Sequence, residues 1–350
     1  MTTTALPTYG KEIWNKVDRI VAIGDVHGDY EQYLTILKDN NLIDAELNWT
    51  GAKTHLVQLG DVPDRGADSL KIMRHLKQLQ KQARKKGGYV HALLGNHEVM
   101  NVDGDLRYVH PGEYKVLVNR KSARLQSNYI AEVIDYLDNR DPVLNTNTNR
   151  ESQLAELEKT YPLGYVEHRR LWAPRGEFFE WIKGHNTVIK INRTLFVHGG
   201  ISPHIPSIPL KKINRRIRDY LKYHSNTMIN AIDDLNSPLW YRGLAVNSAE
   251  DELEPLKSML KFYDADTIVI AHTPTAGQII PRMGRRVIQA DVGLSRFYNG
   301  GRAALVIENG EYYAVHQGNK VSIPSDDKNI KTYLAKLTTI SKNSGHKTNE

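Results

Sequence analysis

The sequence predicts an α/β fold built on two packed β-sheets flanked by helices, with a helical insertion over one end. Three observations lead there. Apolar, β-branched runs alternate with helical patterns from Val17 to Leu94, a β-α-β-α-β order that predicts parallel strands joined by right-handed crossovers. From Asn101 to His185 the pattern turns mostly helical. Strand-like runs then return at Thr187–Val197 and dominate the stretch after Thr267.

In chain order, Val17–Gly24 reads as a buried strand and Tyr30–Asn40 as a helix, with Asp29 placed to cap it. Thr54–Gly60 is a second strand. Asp68–Lys86 is a helix: Leu70, Met73, Leu76 and Leu79 recur at threes, and Gly87-Gly88 ends it. Tyr89–Leu94 is a third strand. Glu113–Asp138 and Arg150–Thr160 read as polar-rich helices separated by an Asn- and Thr-rich loop, Asn139–Arg150. Pro174–His185 brings Phe178, Phe179 and Trp181 to the core. Lys211–Asp234 and Glu254–Tyr263 are helices; Thr267–Ala271, Val287–Ala290, Ala303–Glu308 and Tyr312–His316 are strands. The expected organisation is a single catalytic domain over residues 1–324, with the insertion at about 104–185. A polar, Lys-rich C-terminal tail at 325–350 would carry one short helix at Ile330–Ser341.

A chain of 350 residues can bury a substantial core without cross-links. It has no cysteine, which excludes disulfides, thiolate ligands and a cysteine nucleophile. With 47 Lys and Arg against 40 Asp and Glu, the formal charge is +7, a modest basic excess that suits anionic substrates. No window approaches the roughly 20 apolar residues of a membrane helix, and no signal-peptide core follows Met1. The expected location is therefore cytoplasmic, without membrane attachment; a processed periplasmic form fits the same sequence.

The chemistry sits just past the strand ends. Five short runs occur there: Gly24-Asp25-Val26-His27-Gly28, Gly60-Asp61-Val62-Pro63-Asp64-Arg65-Gly66, Gly95-Asn96-His97-Glu98, Val197-His198-Gly199-Gly200 and Ala271-His272-Thr273-Pro274. Open α/β sheets place their sites at the carboxyl ends of strands. A lone Asp in such a place is ordinarily a cap or turn residue, and a lone His is ordinarily structural. Asp25, His27, Asp61, Asn96, His198 and His272 at successive strand ends, beside glycine or proline, point together to a metal site. Oxygen and imidazole donors without sulfur suit a pair of divalent ions, with Mn, Fe and Zn all acceptable. Two such ions form a recurring device for cleaving phosphate esters.

These runs, in this order, resemble the phosphoprotein phosphatase family of calcineurin-like metallophosphoesterases, whose pattern is GDxHG, GDxxDRG and GNHE, then HG and a later histidine. The resemblance extends over about Arg19 to Gly310. Gly95–Asn101, Gly104–Val109, Pro238–Gly243 and Asp291–Ser295 look closer to the branch called Shewanella-like phosphatases. The family implies a metallophosphoesterase-type sandwich in which Asp25, His27 and Asp61 hold one ion and Asp61, Asn96, His198 and His272 the other. It implies His97 as general acid, oriented by Asp64, and Arg65 and Arg242 as phosphate clamps, since guanidinium donors match phosphate oxygens in pairs. Tyr108 and Tyr241 are candidates to line the substrate pocket. The sequence departs from the eukaryotic serine/threonine enzymes at Val62-Pro63, in a longer interval from Asn96 to His198, and in lacking a SAPNYC run. No regulatory subunit is therefore implied.

The expected function is a metal-dependent phosphomonoester hydrolase acting through a water activated by two ions. Its expected substrate is a phosphorylated protein, at tyrosine or at serine and threonine, or a small phosphoester. A dinucleoside-tetraphosphate hydrolase shares the core motifs and is the rival enzyme. A basic nucleic-acid-binding protein with structural metals is the rival of another class. It is disfavoured because the lysines are scattered, without the aromatic-interleaved basic strip of single-strand binders.

Overall fold

The computed structural model describes residues 10–140, 150–205, 207–223 and 234–343. The chain opens with β1 (Ile13–Trp14), β2 (Arg19–Ile23), α1 (Tyr30–Asp39), β3 (His55–Gln58), α2 (Ser69–Lys85) and β4 (Tyr89–Ala92). Asp29 caps α1 as expected, its carboxylate accepting from the Gln32 amide. β2, β3 and β4 pair in parallel, and β10 (Ala303–Glu308) runs antiparallel on the other side of β2. β11 (Glu311–His316) and β12 (Asn319–Ser322) complete this sheet in the order β12-β11-β10-β2-β3-β4.

The second sheet contains β5 (Val188–Ile191), β6 (Thr194–Val197), β7 (Thr267–Ile270), β8 (Ile280–Arg282) and β9 (Val287–Gln289), in the order β1-β5-β6-β7-β9-β8. Its two faces explain the sandwich. Along β5 and β6, Ile189, Ile191 and Phe196 join the main core shared with the first sheet. Val188, Leu195 and Val197 alternate to the opposite face. There they meet Leu210 and Ile213 of α9 (Leu210–Tyr223) and Leu256, Met259 and Leu260 of α11 (Ala249–Phe262). The short α10 (Gly243–Val246) precedes α11.

Between β4 and β5 lie α3 (Asn96–Asp103), α4 (Pro111–Lys115), α5 (Ser122–Arg140), α6 (Arg150–Thr160), α7 (Tyr165–Trp172) and α8 (Glu177–Ile182). α7 touches α3, α4, α5 and α8, and so ties the insertion together. The helix expected over Glu113–Asp138 is in fact broken: α4 ends at Lys115 and α5 begins at Ser122. Asn119 makes the break, its side-chain oxygen accepting from Lys121 N at 3.0 Å while its own amide donates to Ser122 Oγ at 2.9 Å. The helix expected over Lys211–Asp234 stops at Tyr223, and residues 224–233 lie outside the described residues, as do 141–149 of the expected loop. The helix expected from Glu254 begins earlier, after Ser248, whose hydroxyl accepts from Asp251 N.

Part of the polar stretch after residue 324 is docked. α12 (Ile330–Asn343) buries Tyr333 and Leu337 in the main core. The Tyr333 hydroxyl donates to Ile279 O at 3.0 Å, and Ser341 Oγ lies 2.7 Å from His316 Nε2. Among the described residues, no helix is long and apolar enough to cross a membrane.

Candidate metal centre

All six expected ligands lie beyond the carboxyl ends of strands. Asp25 and His27 follow β2, Asp61 follows β3, Asn96 opens α3 after β4, His198 follows β6 and His272 follows β7. The loops turn sharply enough that five non-glycine residues of the centre sit at positive φ: His27 (46°), Asp61 (56°), Asp64 (74°), Arg65 (65°) and His272 (66°). Such backbone costs of order 1–3 kcal/mol per residue and clusters at functional sites. Glycine supplies the close approaches. A Cβ on Gly28 would lie 2.5 Å from Gly66 O, so the first two loops can touch only because both positions are bare.

Two groups of donor atoms converge, His27 with Asp61 and His97, and Asp61 with His198 and His272, each within 4.8 Å. Asp61 belongs to both. Its Oδ2 lies 3.2 Å from His198 Nε2 and 3.9 Å from His27 Nε2. Asp25 Oδ2 is 3.8 Å from His27 Nε2, and Asn96 Oδ1 is 3.0 Å from His198 Nε2. The imidazoles are turned by bonds on their far sides: His27 Nδ1 reaches Pro63 O at 3.0 Å and His198 Nδ1 reaches Leu59 O at 2.9 Å. Each then keeps its proton on Nδ1 and aims an Nε2 lone pair inward.

The donor set fits cations. Asp25, Asp61 and Asp291 are buried together. Burial, then the charges of Asp291 and Asp61, push the Asp25 carboxyl well up. Burial chiefly raises Asp291 to about 6. For Asp61 burial acts upward, but His198, His97 and His27 together hold it well below the ordinary range. Burial, then His97, lowers His27 to about 4; burial, then His198 and Arg242, pushes His272 down further. His272 Nε2 is buried and has no hydrogen-bond partner among the described residues. Crowded carboxylates, neutral imidazoles and an orphaned ring nitrogen are what a dication relieves.

The other expected residues surround this cluster. His97 Nδ1 lies 2.5 Å from Asp64 Oδ2, while Asn101 Nδ2 donates to Asp64 Oδ1 at 2.9 Å. Burial alone would depress the His97 imidazole; Asp61 and the hydrogen-bonded Asp64 more than offset it, and its pKa is raised. Arg65 lies over the Tyr108 ring at 3.8 Å and the Phe297 ring at 4.8 Å, and its buried Nε has no hydrogen-bond partner among the described residues. Arg242 donates to His272 O at 2.6 Å and Thr273 Oγ1 at 3.0 Å, which brings it beside the second donor group. Tyr108 is half-buried, its ring 5.2 Å from that of His97. Tyr241 is placed elsewhere: it packs in the smaller core and its hydroxyl donates to Glu252 Oε1 at 2.6 Å. Its neighbour Trp240 instead stands perpendicular to the His272 ring at 5.4 Å.

Sequence reasoning gave no role to several residues found here. Glu98 accepts from the amides of Asp61 (3.0 Å), Val62 (2.8 Å) and Gly95 (2.8 Å), clamping the second loop to the third. The Gly-x-x-Glu spacing at a helix start is the signal that could have found it. Asp291 and Trp240 lay within quoted runs without a role. Tyr298, 5.4 Å from the His27 ring, and Phe297 carried no signal.

With this geometry in hand, the comparisons with known proteins are specific. Residues 18–276 match the family model described as calcineurin-like phosphoesterase. An uncharacterized protein of Schizosaccharomyces pombe is 31% identical, covering 87% of this chain and 82% of its own. Shewanella-like protein phosphatase 2 of Arabidopsis thaliana is 28% identical over 81% of this chain and 73% of its own. A crystal structure of a cold-active protein-tyrosine phosphatase from a psychrophilic Shewanella species superposes with a TM-score of 0.66 at 28% identity, covering 89% of this chain and 82% of that one.

Proposed function

Because the chain belongs to the calcineurin-like phosphoesterase family, we propose that it is a metal-dependent protein phosphatase that hydrolyses phosphomonoesters at two divalent ions. The membership of Asp61 in both donor groups is the observation that carries this reading. With Asp61, Asp25 and His27 would hold one ion, and Asn96, His198 and His272 the other. Bound dications supply Lewis acidity and a water acidified towards neutrality.

The remaining work falls to the chain's own side chains. Asp64 accepts from His97 Nδ1 and favours the imidazolium, whose second proton, on Nε2, can pass to the departing oxygen. A cation on Asp61 weakens that carboxylate's hold on His97, so the Asp64 bond is the contribution that persists. Arg65, braced between Tyr108 and Phe297, and Arg242, anchored on the His272 carbonyl, take the phosphoryl oxygens. Tyr108, Phe297, Tyr298 and Trp240 form an aromatic rim suited to a phosphotyrosine ring. The tyrosine phosphatase likeness favours that substrate beside phosphoserine and phosphothreonine.

The test is hydrolysis by metal-stripped protein of a phosphotyrosine peptide, a phosphoserine peptide and a dinucleoside tetraphosphate, with Mn, Fe and Zn returned in turn. Restored turnover of a phosphopeptide, lost in Asp61→Asn with the fold intact, is expected. Turnover of the dinucleotide alone, or activity without any metal, would reject the reading.

A further inference from the structure

β1 and β4 are the terminal strands of their respective sheets. They meet at one end of the sandwich, where Trp14 of β1 lies 4.4 Å from the His91 ring of β4 and 5.4 Å from that of Tyr89. The segment 184–186 bridges them: Asn186 Nδ2 donates to Lys11 O, and Leu94 N donates to Asn186 O. A cavity of about 210 Å³ opens over this seam. Its floor is aromatic, with Trp14, His91 and Trp181 all buried.

The charge around the cavity is one-sided. Lys11, Lys77, Lys81 and Arg84 line it, and among the described residues no Asp or Glu does. Among the described residues none of these four pairs with an acid within salt-bridge distance. Glu177 approaches Lys77, but its carboxylate is taken by Arg74 at 2.9 and 3.2 Å. Lys11 and Arg84 rest on the Trp14 and Tyr89 rings, 5.4 and 5.1 Å from the centroids. The floor adds no charge: burial first, then His55, Arg84 and Lys11, keeps His91 neutral, and burial keeps His185 neutral. Four cations facing one concave space repel each other, and the cheapest relief is a multiply charged anion.

We propose that this cavity is a second anion site, separate from the metal centre, for a ligand bearing an oligophosphate chain. None of its lining residues belongs to the metal centre. The space exceeds that of a single phosphate group, and four cations match a chain of three phosphates better than one. Surface cations on long stems can wrap such a chain, while Tyr89, half-buried at the rim with Arg84 over its ring, adds an aromatic edge that a base can meet when the chain belongs to a nucleotide. The site stands independently of the proposed catalytic reading.

The test is calorimetric titration of the metal-loaded, full-length protein with inorganic triphosphate and with a non-hydrolysable ATP analogue, on wild type, Asp61→Asn and a Lys81→Ala/Arg84→Ala double variant. Lys81 and Arg84 are exposed, so the double variant folds, and its hydrolysis of an aryl phosphate should be unchanged. A saturable event that persists in Asp61→Asn and weakens at least tenfold in the double variant is expected. Tighter binding of the nucleotide than of triphosphate assigns the rings a part; equal binding assigns the site to charge alone, and either carries the proposal. No event in Asp61→Asn, or equal affinity in wild type and the double variant, overturns it.

Discussion

Glu98→Ala should cost at least about 4 kcal/mol of stability and most of the metal affinity. The side chain is 3% exposed and receives three backbone N–H groups, two on Oε2 and one on Oε1. A hydrogen bond to a charged group contributes about 1.5–3 kcal/mol, and a buried donor left unpaired costs a similar amount. Three orphaned amides therefore outweigh any relief from removing a buried carboxylate, even when partial water entry is allowed. Against a native stability of about 5–15 kcal/mol the alanine variant approaches unfolding, so Glu98→Gln is the variant to quantify. Its amide oxygen can replace one carboxylate oxygen, but its NH₂ group then confronts an N–H donor; a loss of about 2 kcal/mol is expected. Burial and the Asp61 charge push the Glu98 carboxyl up to about 7, so denaturant melts belong well above that pH, where the carboxylate form is compared. Metal affinity is read in parallel by chelator competition. A loss below about 1 kcal/mol in Glu98→Ala, with unaltered metal affinity, would refute the claim that this carboxylate holds the loops in register.

Three further outcomes follow from the structure. His97→Ala should slow an alkyl phosphate more than a nitrophenyl phosphate, because only the poorer leaving group needs the proton; equal losses would exclude a general acid. Leu337→Ala, at a position with 0% exposure, should destabilise the protein by about 2–5 kcal/mol, as for other buried leucines; an unchanged denaturation midpoint would show that α12 is not part of the core. Acid should also weaken the fold. His91 is held well below its ordinary value, His55 at about 4 and His185 at about 3, chiefly by burial. The unfolded chain takes up these protons near pH 6.5 and the folded chain does not, so stability is full above about 6.5 and falls towards pH 4. A flat profile of midpoint against pH across that window would contradict this.

The parallel β2-β3-β4 unit was legible because each strand is a short apolar run leading into a glycine, Gly24, Gly60 and Gly95, and β6, β7 and β9 were legible as β-branched runs. Of the six expected ligands, Asp25, Asp61 and Asn96 were legible because their spacing repeats the strand-helix-strand unit, and His27, His198 and His272 because each follows an apolar run beside glycine or proline. What stayed hidden has physical causes. Ser122 and Asn119 interrupt a polar helical pattern through local hydrogen bonds that periodicity does not register. β1 has two residues and β8 three, too few for alternation to declare itself. Tyr241 and Trp240 are adjacent aromatics, and only the path of the chain after Pro238 decides which meets His272. α12 looked like solvated tail because its charges are visible in sequence, whereas the two side chains that dock it are few.

The proposed ligands come from both layers of the sandwich: Asp25, His27, Asp61 and Asn96 hang from one, His198 and His272 from the other. Apolar packing between layers resists separation but yields to small sliding. Coordination bonds spanning the seam would not. In a chain without a single cysteine, cations bound there would also act as rivets, and chelation should quicken amide exchange along the interface between the sheets as well as silence the chemistry.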